Sequence, residues 1–68
     1  MTDLDRLCRA EWGHLLSALI QAFGDFDVAE EALQEAFAAA VAAWPRGEPR
    51  YPRAWLYGTA RHKAIDRL

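Results

Sequence analysis

The sequence predicts an all-α fold, a small three-helix bundle in which residues 1–68 form one domain. Apolar residues recur at the three- and four-residue spacing of a helix face, and no segment shows the alternation of a strand. Gly24 and a proline-containing segment at residues 45–51 interrupt this spacing and separate the three helices. Hydrophobic residues make up 53% of the chain and charged residues 26%, which is typical of a globular protein.

The first helix is predicted over residues 4–23. Its apolar residues lie on one face with polar residues between them, so the helix is amphipathic and packs on other elements. Gly24 follows the last apolar residue and is expected to end the helix as its C-terminal cap. Cys8 is the one cysteine of the chain, which excludes an internal disulfide, and its apolar surroundings predict a buried, unreactive thiol.

The second helix is predicted over residues 27–44 and the third over residues 53–68. Asp27 is expected to cap the second helix, with Glu30 completing a capping box, and Pro45 ends it. Pro52 suits the first turn of the third helix. The predicted core-facing residues of these two helices are Leu33, Phe37, Ala40, Val41, Trp44, Leu56, Ala60, Ala64 and Leu68.

No pattern in the sequence indicates catalysis. The chain lacks a glycine-rich phosphate loop, a metal-ligand cluster and a nucleophile motif, and His14 and His62 lie on different predicted helices. We therefore predict no enzymatic activity, no bound metal and no cofactor. The longest apolar run, residues 36–44, is too short to span a membrane, and the N-terminus is acidic, unlike a signal peptide. A soluble, cytoplasmic protein is expected.

Charge is divided unevenly along the chain. Residues 1–45 hold eight acidic residues against two arginines, whereas residues 46–68 hold six basic residues against two acidic ones. This asymmetry suits two different partners, one of them a polyanion. Charge alone leaves open the alternative that both regions are solvated surface.

One side of the second predicted helix is acidic and then nearly bare alanine. Glu31, Gln34 and Glu35 lie there, followed by Ala38 and Ala42, and no lysine alternates with the acids as in a helix that gains i,i+4 ion pairs. The profile suits docking against a basic helical partner. A plain solvated face would show the same residues.

The last third of the chain interleaves cations with aromatic residues. Cations contact phosphates and aromatic rings stack on unpaired bases, so this segment suits single-stranded nucleic acid. Trp55 and Tyr57 are equally compatible with a role in the core. The interleaved residues are Arg46, Arg50, Tyr51, Arg53, Trp55, Tyr57, Arg61, His62, Lys63 and Arg67.

Two segments together resemble region 2 of the extracytoplasmic-function sigma factors of bacterial RNA polymerase. They are residues 27–37, DVAEEALQEAF, and residues 54–68, AWLYGTARHKAIDRL. That family commonly has an acidic pair, a hydrophobic residue and Gln-Glu-x-Phe, and later Trp-Leu-x-x-x-Ala-Arg-Asn-x-x-Ile-Asp. Both motifs occur here in that order, with His62 where the family often has Asn. The resemblance implies a helical domain that docks on the clamp helices of the polymerase β′ subunit and recognises and melts the promoter −10 element.

The resemblance also implies roles for individual residues. Glu31, Gln34, Glu35 and Ala38 would contact the clamp helices. The loop at residues 46–53 would form a pocket for a flipped base of the non-template strand. The implied DNA-binding residues are Arg46, Arg50, Tyr51, Arg53, Trp55, Arg61, His62 and Lys63.

Other features of the family bear on partners and on chain organisation. An anti-sigma factor is a further candidate partner, and no membrane partner is expected. Family members carry a separate helix-turn-helix domain for the −35 element, so this chain is expected to be an isolated domain of a longer protein. The alternative function is a helical protein-interaction module, of the anti-sigma or adaptor kind, that does not bind DNA.

Overall fold

The computed structural model describes residues 3–68, which form three α-helices: α1 (Leu4–Phe23), α2 (Phe26–Ala43) and α3 (Pro52–Asp66). This architecture confirms the predicted all-α bundle. The middle helix, α2, packs against both of the others and most extensively against α3, whereas α1 and α3 touch less. The bundle therefore has α2 as its central element, with α1 and α3 on either side of its buried face.

Helix α1 begins and ends where the sequence predicts. The Asp3 carboxylate caps its first turn by accepting hydrogen bonds from the backbone N–H groups of Asp5 (3.1 Å) and Arg6 (3.3 Å). Gly24 follows the helix in the left-handed conformation, with φ of 69°, and donates its N–H to the Ile20 carbonyl. A side chain is disfavoured at that φ, which explains glycine at this position.

The predicted cap of α2 is wrong by two residues. Asp25, not Asp27, caps the helix: its carboxylate accepts the Val28 N–H at 3.1 Å, and α2 starts at Phe26. The reason is the shortness of the connection, since Gly24 reverses the chain and only Asp25 remains extended before α2. Asp27 then lies in the first turn, where a negative charge still interacts favourably with the helix dipole.

The linker and α3 differ from the prediction by one or two residues at each end. Helix α2 ends at Ala43, and Trp44 forms its C-terminal cap. Helix α3 starts at Pro52, one residue earlier than expected, because proline fits the first helical position. It ends at Asp66, with Arg67 as its C-terminal cap, rather than at Leu68.

The core contains one fully buried leucine from each helix, namely Leu19, Leu33 and Leu56. Small residues surround them on α2 and α3, and their size lets the two backbones approach closely. No charged or polar side chain is buried within residues 3–68. The small buried residues of α2 and α3 are Ala29, Ala32, Ala36, Ala40, Ala60 and Ala64.

Three residues predicted to be buried lie elsewhere. Val41 is 63% exposed, because the 100° step from buried Ala40 turns it onto the outer side of α2. Leu68 is 79% exposed, because α3 ends at Asp66 and the chain no longer follows the helical stripe. Cys8 is a free, half-buried thiol at the edge of the α1 core face rather than a buried one.

Candidate functional site

The predicted polymerase-contact residues lie on the outer side of α2. Glu31, Gln34 and Ala38 are exposed and Glu35 is half-buried. Val41, which follows on the same outer side, extends this surface with an exposed apolar side chain. We call these five residues the α2 face. It is acidic in its N-terminal half and apolar in its C-terminal half.

An arginine from α3 contacts the acidic half of the α2 face. The Arg67 guanidinium lies 3.0 Å from the Glu31 carboxylate, and its Nε–H donates to a Glu35 carboxylate oxygen at 3.1 Å. A second guanidinium nitrogen, Nη2, also contacts Glu35. The predicted site residues did not include Arg67. It is 32 positions from Glu35 in the sequence, and only the packing of α3 on α2 brings the two residues together.

The ion pairs also affect protonation. The hydrogen bond to Glu35 raises the pKa of the Arg67 guanidinium, partial desolvation opposes that rise, and the charges of Glu35 and Glu31 reinforce it. The side chain is therefore cationic at neutral pH. One positive charge thus lies beside two carboxylates of the α2 face.

The linker presents an exposed cation beside an exposed aromatic ring. The Arg50 guanidinium carbon lies 5.7 Å from the centre of the Tyr51 ring, within the range of a cation–π interaction. Tyr51 is 67% exposed, and Arg46 and Arg50 are exposed as well. The exposed ring of Tyr51 therefore has one guanidinium, that of Arg50, beside it.

Two other predicted DNA-binding residues take part in packing. Arg53, at the start of α3, forms an ion pair with Glu11 of α1, whose side chain is only 17% exposed. Trp55 is half-buried and packs edge-to-face on Trp44, with ring centroids 5.4 Å apart. Both residues therefore stabilise the bundle, and for Trp55 the core alternative is at least partly correct.

The remaining predicted residues spread around α3. Arg61 and His62 are exposed and Lys63 is half-buried. Successive helical residues are 100° apart, so these three side chains leave the helix in different directions and form no single surface. Within residues 3–68, Arg61 makes no ion pair, and neither does Arg46 or Arg50. We call Arg46, Arg50 and Arg61 the unpaired arginines.

Two open pockets adjoin these residues. The first has a volume of about 480 Å³ and lies where the start of α1 meets the end of α2 and residues 45–48; Leu4, Val41 and Trp44 line it. The second, about 400 Å³, lies between α1 and α3, with His14, Arg53 and Tyr57 among its lining residues. Sequence reasoning missed the contribution of Leu4, because it depends on the tertiary packing of α1.

The described chain offers no metal site and no membrane-spanning helix. No group of three or more potential metal ligands occurs within residues 3–68. None of the helices in that range combines the length and apolar character needed to cross a membrane.

Comparison with known proteins identifies the family. A family model described as Sigma-70 region 2 matches residues 9–68, which contain all of α2 and α3 and most of α1. An uncharacterized protein of Rhizobium meliloti (strain 1021) is 46% identical over 54 residues, which are 78% of this chain and 13% of that protein. No solved structure matches significantly. The three-helix fold and the family match agree: this chain belongs to the sigma-70 region 2 family, whose members are non-enzymatic helical domains of transcription-initiation factors.

Proposed function

We propose that this chain is the region 2 domain of an extracytoplasmic-function sigma factor. In this role it binds RNA polymerase core through the β′ clamp helices and recognises the promoter −10 element, which it helps to melt. The observation that carries the proposal is the position of two surfaces. The acidic motif residues of α2 lie outward, while the linker presents an exposed cation and aromatic ring.

The polymerase half of the proposal is supported by the make-up of the α2 face. The α2 face has carboxylates at one end and small or apolar side chains at the other. It therefore complements a helix that carries cations and a hydrophobic residue at matching positions. Ala38 leaves space for close approach of that helix, and Val41 offers an apolar contact of the kind found near the centre of interfaces.

The DNA half of the proposal is supported by the linker and by the pocket of about 480 Å³ next to it. Tyr51 can stack on an unpaired base of the non-template strand, and the unpaired arginines can contact its phosphates. The pocket is lined by apolar residues such as Trp44 and Pro45 and by one cation, Arg46, and one carboxylate, Glu48. Such a site suits a base removed from its stack.

The adaptor function does not explain the exposed cation and aromatic ring of the linker. A module that binds only protein through the α2 face would not need a solvent-exposed tyrosine beside an unpaired arginine, Arg50. We therefore favour the sigma-factor function, and with it a cytoplasmic location beside the polymerase.

Direct binding measurements test both halves separately. The 68-residue chain should bind a β′ clamp-helix fragment, and it should prefer a single-stranded oligonucleotide with a −10-like sequence over the same sequence as duplex. A shuffled oligonucleotide of equal length and composition is the control for charge. Binding to the clamp fragment without any preference for single strands would favour the adaptor function, and failure to bind the fragment would contradict the polymerase half.

A further inference from the structure

The α2 face is already occupied from within the molecule. Arg67 contacts Glu31 and Glu35, which are the two carboxylates that the polymerase would use. A cation of an incoming helix must either share these oxygens with the guanidinium or displace it. Sharing is less favourable than sole occupancy, because the guanidinium already neutralises one of the two negative charges and repels a second cation.

The contact is accessible enough to exchange. The side chains of Arg67, Glu31 and Glu35 are 37%, 59% and 43% exposed, so solvent and partner can reach both sides of the ion pairs. Arg67 is the C-terminal cap of α3 and is not one of the buried core residues. Exposed ion pairs contribute little to stability, so releasing this one leaves the bundle intact.

We infer that Arg67 is an intramolecular competitor for the polymerase, and that binding of a cationic clamp helix displaces its guanidinium from Glu31 and Glu35. This inference rests on the proposed polymerase-binding role of the α2 face. Displacement adds a free cation to the basic end of the chain, where it can contact a phosphate. Because linkage is reciprocal, polymerase binding and DNA binding then strengthen each other.

The test measures the affinity of the 68-residue chain for the β′ clamp-helix fragment in four forms, the wild type and three variants. Arg67→Gln removes the competing charge and should tighten binding about two- to fivefold, the range expected for an exposed ion pair. Arg9→Gln is the matched control, because it also removes one arginine and one exposed ion pair, with Asp5 on α1. Arg67→Lys keeps the positive charge but loses the planar guanidinium that contacts both carboxylates. Its affinity for the clamp fragment should lie between those of wild type and Arg67→Gln.

Each outcome decides between the two proposals. Tightening by Arg67→Gln beyond that by Arg9→Gln supports the competitor role. If wild type binds and Arg67→Gln binds equally or more weakly, the competitor role is wrong while the polymerase face stands. If no form binds, both proposals fail.

A measurement on the wild-type chain does not depend on any variant. The Nε–H of Arg67 donates to Glu35 in the free chain, so its nitrogen NMR resonance reports on that hydrogen bond. Saturation with the clamp fragment should move this resonance to the position of a free arginine. A resonance that keeps its hydrogen-bonded position in the complex would overturn the inference.

Discussion

Replacement of Tyr51 by alanine is the sharpest test of the DNA-binding surface. Tyr51 is 67% exposed and has no ring contact with the core, so Tyr51→Ala should leave the bundle folded. A base stacked on an aromatic ring contributes about 1–3 kcal/mol. The variant should therefore bind a single-stranded −10 oligonucleotide about 5- to 150-fold more weakly than wild type.

The assay is fluorescence anisotropy of a labelled oligonucleotide at a fixed salt concentration, with circular dichroism to verify helicity. Phe26→Ala is the matched control, because Phe26 is also an exposed aromatic residue, 51% accessible, but lies at the start of α2 away from the linker. It should bind like wild type. An equal loss in both variants, or an equal loss for single-stranded and duplex DNA with Tyr51→Ala, would refute stacking on Tyr51.

Four further predictions test the remaining parts. Glu35→Lys should weaken binding to the clamp fragment by about 1–2 kcal/mol with unchanged helicity, since it reverses a charge in the α2 face. Arg50→Ala should lower affinity for all oligonucleotides alike, because a phosphate contact carries no sequence information. His62→Ala should instead change the preference among −10 variants if the imidazole reads a base edge. Binding of both variants to a panel of oligonucleotides with single-base substitutions separates the two effects. The logarithm of single-strand affinity should fall with the logarithm of salt concentration with a slope of about −3, because the three unpaired arginines and Lys63 each contribute about −0.7. Leu33→Ala should cost about 2–5 kcal/mol of unfolding free energy in thermal or urea melts, while Leu68→Ala, at an exposed position, should cost almost nothing.

Local signals in the sequence predicted most of the fold. Helical spacing predicted that Leu15, Leu19 and Leu33 face the core, and all three are buried. The glycine at position 24 predicted the end of α1, which the structure confirms. The error at the start of α2 occurred where two local signals competed. Asp25 and Asp27 both have a capping side chain, and only the tightness of the turn after Gly24 selects the first.

The candidate site was less predictable than the helices. The outward position of Glu31, Gln34, Glu35 and Ala38 followed from the helical periodicity. The exposure of Val41 and the ion pairs that join the helices did not. Arg53 and Glu11 are 42 positions apart, and Arg67 and Glu35 are 32 apart, so no helical spacing relates them. The place of Trp55 was open for a similar reason, because its partner Trp44 lies on another helix.

These ion pairs change the meaning of the charge asymmetry in the sequence. The acidic and basic parts of the chain do not form two independent surfaces, since Arg53 and Arg67 of the basic part neutralise carboxylates of the acidic part. In residues 46–68, four cations without an ion pair remain for nucleic acid, namely the three unpaired arginines and Lys63. This is a modest charge for a DNA-binding surface. Affinity for DNA should then depend on the aromatic ring of Tyr51 as much as on charge. It should also rise when the polymerase releases Arg67, so that a domain that binds promoter DNA weakly on its own binds it better when it is attached to the enzyme.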